Sequence, residues 1–410
     1  MKILVVHNRY RSNAPSGENS VVDDEILLLE GGGAVVERLE LQSDEIGDWP
    51  AARRMGLPLR VIWSRAGGRL VSEAAAAFGP DVIHVHNTFP LFSPHALVAA
   101  RRSGAAVVQT LHNFRSLCPE GSFFRDGSPC TQCLGRRVQA PALRYRCYRS
   151  SVSATLPLVA MNAVHRSLGT WTRNVSAFVI PSRFGRDRYG EAGWPTERIF
   201  VNYNTASPRA TRGERHPDGE TFLYVGRLTH EKGVSTLLRA WRRAFPDSGP
   251  RLVVIGGGDA EEEIRALAGD SPRVSFLGQQ PPEVVTAHLL RASALVVPSQ
   301  CFEMCPRVIP EAYALGVPVI ASRLGSMAEL VIDGETGLLA EPGDVDDFAR
   351  VLGEAAASQA ELAELGRRAR ERYEQHFSPA ACLTRLLAIY EAAATLQSGR
   401  RSELAPVPTG

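Results

Sequence analysis

No run of 18 or more apolar residues free of charge occurs in this 410-residue sequence, which excludes a transmembrane helix of ordinary length. The amino terminus, MKILVV before His7, Asn8 and Arg9, is too short an apolar run for a secretory leader and lacks its cleavage pattern, so the cytoplasm is the expected compartment. Cysteine is scarce, with seven residues, and the odd number argues against a disulfide framework. Acidic residues are missing from Gly127 to Arg186, where Arg136, Arg137, Arg144, Arg146, Arg149, Arg166, Arg173, Arg183 and Arg186 fall, although the net charge is only +2. A spaced Gly-x-Gly-x-x-Gly loop with an acidic ribose ligand about 20 residues further on is also lacking, which removes nicotinamide oxidoreductases from the field. No internal repeat or low-complexity tract is evident. With 44% hydrophobic and 22% charged residues, the composition is that of an ordinary two-domain enzyme whose halves can each bury a core.

What is present is organised around residues 294 to 321, ALVVPSQCFEMCPRVIPEAYALGVPVIA. The apolar run Ala294 to Pro298 predicts a buried parallel strand, followed by a polar loop that carries Glu303. Pro306 and Pro310 are tolerated only before or within a first helical turn, so a helix is expected from Arg307 or Ile309 to Leu315, stopped by Gly316, with a second strand from Val317. On one continuous helix Glu303 and Glu311 would lie about 12 Å apart and about 80° round the axis, too far for an acid and base on one bond. Two ends of one elongated ligand suit that spacing; a loop carboxylate and one favoured by a helix N-terminus suit it equally.

Elsewhere, strands alternate with helices, the pattern of an α/β fold with parallel sheets. Strands are expected at Lys2 to His7, Ala34 to Leu39, Val82 to His86, Ala106 to Thr110, Ala177 to Pro181, Thr221 to Val225, Arg251 to Ile255 and Val274 to Leu277. Helices are expected at Ser20 to Leu29, Arg69 to Phe78, Pro94 to Arg102, Ser150 to Leu168 with Pro157 threatening a kink, and over the last part of the chain; residues 43 to 68 give no clear pattern. The polar stretch holding Pro208, Gly213, Pro217 and Gly219 marks a linker over 204–219 between domains at 1–203 and 220–376, with a final helix at 379–397 and a tail at 398–410 expected to be disordered.

Several side chains fall where such sheets expose function. Gly17 lies just before a helix whose free amides suit an anion or a sugar hydroxyl. Arg227 and Lys232 follow the strand ending at Val225, and cations there stabilise the charge that develops on a departing diphosphate. Gly257, inside the run Gly256 to Gly258, lets backbone approach a nucleotide, and His84, His86 and His112 stand at strand ends. Within an insertion at 118–147, Cys118, Cys130, Cys133 and Cys147 could give four thiolates to a zinc ion, although reduced buried or redox-sensitive cysteines are the plainer reading. The acid-free arginine segment beside the helix from Ser150 would attract anionic lipid head groups or a phosphate-bearing acceptor; a solvated basic face is the plainer alternative, and a nucleic-acid reader does not fit one basic loop inside an α/β enzyme.

Taken together, Glu303 and Glu311 followed by Ala312, Ala314, Gly316, Pro318 and Val319, then Gly325, Glu329 and Asp333 to Gly337, with Gly226-Arg227-Leu228 and Glu231-Lys232-Gly233 upstream, resemble the retaining GT-B glycosyltransferases of the family 4 type. The likeness is close over residues 220 to 345 and looser before them; Cys305-Pro306 depart from the Phe-Gly common in that family, and Pro306 has no amide to offer a ligand. The resemblance implies two Rossmann-like doubly wound domains facing across a cleft, and transfer of a sugar from a nucleotide-diphosphate sugar to a glycan, lipid-linked or small-molecule acceptor. It implies Glu311 on the ribose hydroxyls, Glu303 on the donor sugar, Arg227 and Lys232 on the diphosphate, and, from Thr110-Leu111-His112, His112 on the transferred sugar, with Gly17 in the acceptor-side loop. No cofactor is implied for catalysis, any zinc would be structural, and polysaccharide assembly on a lipid carrier at the inner face of the membrane is the expected setting. An epimerase or phosphorylase of the same fold, or a nucleotide-sugar-binding subunit without turnover, are the alternatives.

Overall fold

The computed structural model describes residues 1–12, 16–206 and 217–399, so Pro208, Gly213 and most of the expected tail lie outside the described residues. The chain forms two compact units. One comprises Met1–Phe123, Cys130–Tyr203 and the chain from Cys382; the other comprises Phe124–Pro129 and Asn204–Ala381.

Six short runs build the sheet of the first unit: β1 (Lys2–Arg9), β2 (Val35–Gln42), β3 (Val82–Val85), β4 (Ala106–Thr110), β5 (Ala177–Ile180) and β6 (Ile199–Val201). Their order is β2-β1-β3-β4-β5-β6 and all pair in parallel. Parallel strands covered by helices on both faces must be apolar almost throughout, which is why VIHV and AVVQT are buried at every position. Ile3, Val5, Val82 and Val108 pack against Val22 and Ile26 of the helix Gly17–Gly31 and against Leu386, Ile389 and Tyr390 of the last helix, Pro379–Gln397. Residues 43 to 68 form three short helices, Glu45–Asp48, Ala51–Met55 and Leu57–Ile62. The helix Val152–Ser167 runs through Pro157; Leu158 and Met161 just beyond it are buried with Val61, and that packing outweighs the lost backbone bond.

The second unit repeats the plan with β7 (Thr221–Val225), β8 (Arg251–Ile255), β9 (Val274–Gly278), β10 (Ala294–Val297), β11 (Val319–Ser322) and β12 (Gly337–Ala340). Its order is β9-β8-β7-β10-β11-β12, again all parallel. This is a doubly wound sheet whose direction of winding reverses between β7 and β10, so the loops leaving those two strands part from each other and open a crevice at their carboxyl ends. Trp241, Leu237, Phe222, Leu252 and Phe348 form the core behind that crevice. The predicted helix after Pro306 is observed as Val308–Ala314, with Gly316 at φ 68° ending it.

Candidate active site

The loops that leave β7 and β10 carry the residues singled out in the second half. Lys232, in the turn His230–Lys232, places Nζ 2.5 Å from Oε1 of Glu303, and Ser299 Oγ donates to the same carboxylate oxygen at 2.7 Å. Burial works against both charges, yet each outweighs it for the other: Lys232 titrates above its ordinary range and Glu303, with Ser299 and Arg227 helping, below its own. The loop around Glu303 is fixed from behind by Ser326, whose hydroxyl donates to the Glu303 carbonyl at 2.8 Å. Arg227 is more open, with its side chain 58% exposed and Nη2 donating to Glu231 Oε1 at 3.2 Å. The buried Tyr224 hydroxyl donates to the Arg227 carbonyl at 2.7 Å and holds that turn.

Glu311 sits in the first turn of the helix Val308–Ala314 and accepts from Arg307 Nε at 2.7 Å. It does not share a continuous helix with Glu303, which lies in the preceding loop. The helical separation of about 12 Å therefore does not apply to them, because a loop can extend by more than the roughly 1.5 Å per residue of a helix.

Close backbone approach at this end of the sheet depends on glycines, though not on Gly257, where a Cβ would come no nearer than 3.3 Å to Glu261 Oε2. Gly256, at φ 138°, and Gly258 have no such room: added Cβ atoms would meet the Gly226 carbonyl oxygen at 1.8 Å and the Leu228 carbonyl oxygen at 2.4 Å. Gly233, at φ 71°, is pressed against the Pro298 carbonyl oxygen, which locks the loop of Lys232 onto the end of β10.

In the first unit the corresponding strand ends surround a cavity of about 60 Å³ lined by Glu18, His86, Phe89, His112, Asn113 and Arg115, among others. His112 follows β4, and its Nε2 lies 2.9 Å from His86 Nδ1; burial first, and then His86, hold His112 well below its ordinary pKa, which keeps it neutral. Glu18 enters from the first turn of the helix Gly17–Gly31, where it accepts from the Tyr10 hydroxyl at 3.2 Å and from Asn113 Nδ2 at 3.3 Å. Burial raises its carboxyl to about 7 against the pull of Arg115. Gly17 is exposed, and a Cβ there would meet nothing within 4 Å, so no close approach requires a glycine. Glu18, Glu25, His86, Ser299 and Tyr224 were not picked out by sequence reasoning as site residues; only the position of Glu18 beside Gly17 and of His86 at a strand end hinted at two of them.

The four cysteines fall in one neighbourhood, with Cys118 and Cys133 buried. Burial, and then Cys118, Cys147 and Cys130, push the Cys133 thiol up to about 12. Among the described residues, the group of metal-ligating side chains whose ligand atoms all lie within 4.8 Å of one another is Glu25, His84 and His86, and the cysteines do not form one. No described helix is long and apolar enough to cross a membrane.

Two parallel six-stranded Rossmann-like units, the second with a lysine–carboxylate pair at its switch point, define the GT-B architecture. Residues 210–372 match the family described as "Glycosyl transferases group 1", and residues 14–205 match the "Glycosyl transferase 4-like domain". The chain belongs to the group 1, family 4-type glycosyltransferases. It is 30% identical over 256 residues to the GDP-mannose-dependent alpha-(1-6)-phosphatidylinositol monomannoside mannosyltransferase of Mycolicibacterium smegmatis, a match covering 57% of this chain and 65% of that one. It is 29% identical over 217 residues to the lipopolysaccharide core biosynthesis glycosyltransferase LpsE of Rhizobium meliloti, covering 51% and 62% respectively. Both matches span less than two thirds of the relative's length. Among solved structures, Anabaena HepE in complex with UDP and glucose has the same fold, with a TM-score of 0.65, 18% identity, and coverage of 96% of this chain and all of that one.

Proposed function

We propose that this protein is a retaining hexosyltransferase that moves a sugar from a nucleotide diphosphate to a glycan or lipid-linked acceptor in polysaccharide or glycoconjugate biosynthesis. The observation that carries the proposal is the Lys232–Glu303 pair at the carboxyl ends of β7 and β10. A diphosphate gains negative charge as its bond to the sugar breaks, and the ammonium of Lys232, with Arg227 beside it, stabilises that charge more in the transition state than before it. Glu303, kept ionised by Lys232, faces the oxocarbenium-like sugar carbon. Glu311 holds the ribose hydroxyls, and His112 holds the transferred sugar. The acceptor's proton passes to the leaving phosphate, so the reaction needs no fixed base and no metal. The cavity around Glu18 and Arg115 receives the acceptor. UDP bound to HepE, and the GDP-mannose, phosphatidylinositol monomannoside and lipopolysaccharide core in the names of the two relatives, support a nucleotide sugar as donor and a lipid-borne acceptor.

A contact with anionic membrane belongs to the same proposal. Met55 and Leu59 are 80% and 73% exposed, and Leu156 and Val152 on the helix Val152–Ser167 are 52% and 47% exposed. Leu57–Ile62 packs against Val152–Ser167, so these apolar side chains share one region with exposed Arg53, Arg54, Arg144, Arg146 and Arg149. Apolar side chains that enter the interface, ringed by arginines, match an anionic bilayer surface.

The test of the enzymatic proposal is thermal unfolding with UDP, GDP, ADP, dTDP and their sugars, for the wild type and Glu311→Ala. A nucleotide at 100 times its Kd adds about 2.7 kcal/mol of stability to the wild type. Loss of that response in the variant is expected. No response to any nucleotide, or an undiminished one in Glu311→Ala, overturns the assignment.

A further inference from the structure

Behind His112 lies a chain of ionisable groups that no step above uses. Glu25, on the helix Gly17–Gly31, places Oε1 2.9 Å from His84 Nδ1 and 3.3 Å from His86 Nε2; both histidine side chains are fully buried and that of Glu25 is 12% exposed. His86 Nε2 and Glu25 Oε1 are buried and neither has a hydrogen bond of good geometry among the described residues, so the 3.3 Å approach leaves Glu25 Oε1 as the polar group nearest to hand for His86 Nε2. On its other side, His86 Nδ1 is 2.9 Å from His112 Nε2, with the two rings stacked at 5.2 Å between centroids. His84 is anchored separately, its Nδ1 2.7 Å from the Tyr390 hydroxyl and its Nε2 2.7 Å from Thr110 Oγ1. His7 stands edge-on to His86, its Nε2 3.0 Å from Asn19 Oδ1.

The protons can be assigned along this chain. Burial would neutralise Glu25, but His84 and His86 outweigh it and hold the carboxyl far below its usual range. An ionised carboxylate only accepts, so His86 presents Nε2–H to it. Burial, and then His84, lower the pKa of His86, so its ring is neutral and Nδ1 keeps a lone pair. His112 therefore donates its Nε2–H to His86 Nδ1 and has an unprotonated Nδ1 left over. His112 also lines the cavity of the first unit.

We infer that Glu25 and His86 are positioning residues that fix the tautomer of His112, so that its bare Nδ1 accepts a hydrogen bond from a hydroxyl of the bound sugar. The sugar in this inference rests on the proposed function; the tautomer does not. A protein that used His112 as a donor would need the opposite arrangement.

Nitrogen-15 NMR of the full chain labelled at histidine, with no ligand added, reads the tautomer directly, and a His112→Gln variant assigns the resonances. In the wild type at neutral pH, His112 is expected neutral, with Nε2 protonated and Nδ1 in the unprotonated range. Glu25→Met removes the acceptor from His86 and frees it to turn its proton to Nδ1, so His112 shifts toward the Nδ1–H form. His86→Leu leaves His112 a mixture of tautomers, whereas His86→Gln, whose amide oxygen can accept, restores Nε2–H. Unchanged His165 signals show that the unit is still folded in each variant. An Nδ1–H or doubly protonated His112 in the wild type, or a tautomer indifferent to both Glu25→Met and His86→Leu, overturns the inference. Turnover of the nucleotide sugar by His112→Ala is scored separately: undiminished turnover sinks the sugar contact and leaves the tautomer assignment standing.

Discussion

Lys232 Nζ and Glu303 Oε1, 71 residues apart in sequence, meet at 2.5 Å and tie the end of β7 to the end of β10. The side chains are only 19% and 15% exposed, so removing one partner leaves the other charge poorly solvated. Lys232→Met should destabilise the protein by about 2–3 kcal/mol, somewhat under the cost for a fully buried pair. In Lys232→Met/Glu303→Gln the two losses should fall well short of adding. Urea unfolding of the two singles and the double checks this; strict additivity refutes a coupled pair.

Gly233 and Gly79 both have left-handed backbone, at φ 71° and 62°, but only Gly233 is crowded, with the Pro298 carbonyl oxygen 1.9 Å from where a Cβ would be. Gly79→Ala should cost about 1 kcal/mol, the penalty of the left-handed conformation alone. Gly233→Ala should cost at least about 3 kcal/mol and weaken any nucleotide-induced stabilisation, because the loop that carries Lys232 has to move. Equal losses in the two variants would show that the contact with Pro298 is not tight.

His165 is buried between Thr170 Oγ1, 2.8 Å from its Nδ1, and the Ile62 carbonyl oxygen, 2.7 Å from its Nε2. Burial lowers its pKa to about 4 from 6.5. A base depressed in the folded state takes up its proton more readily when unfolded, so its contribution is fully present above pH 6.5 and is lost as pH falls toward 4. That contribution is about 3 kcal/mol. His165→Gln should be less stable at pH 7.5 but show a flatter acid limb between pH 6.5 and pH 4 in urea titrations. A parallel acid limb would remove His165 as its cause.

Co-sedimentation with vesicles rich in anionic lipid, at low salt, should recover the wild-type protein in the pellet, and 0.5 M salt should release much of it because the arginine contribution is screened at about 4–5 Å. Met55→Ser/Leu59→Ser should lower the bound fraction at both ionic strengths, since it removes the apolar part of the contact. Equal binding by wild type and variant would dissociate the exposed apolar side chains from the membrane.

The parallel α/β plan was legible because strands buried on both faces are short continuous apolar runs, as β3, β5 and β10 are at every position, whereas β2 and β9 at the sheet edges are partly exposed. β12, which starts at Gly337 of the Asp333 to Gly337 stretch, and β6, too short at three residues to show a period of its own, went unrecognised. The short helices within residues 43 to 68 were hidden for the same reason. Lys232, Glu303 and Glu311 were legible as motif residues, but the pairing of the first two depends on which strands become neighbours in the sheet. Gly256 and Gly258, rather than Gly257, turned out to be the positions where a side chain has no room, because the Gly226 and Leu228 backbone lies against them, a tertiary contact that no local pattern shows. The histidine chain behind His112 joins β3, β4 and the helix Gly17–Gly31, and no local pattern announces it.

The last helix has a consequence for how the chain comes together. Leu386, Ile389 and Tyr390 complete the hydrophobic core around β1, β3 and β4, and Tyr390 supplies a hydroxyl to His84. During synthesis the first sheet therefore leaves the ribosome more than 180 residues before the segment that seals it. Asn204–Ala381, by contrast, brings its whole six-stranded sheet in one stretch. The half of the protein made first is the half whose core waits longest along the chain for its last segment.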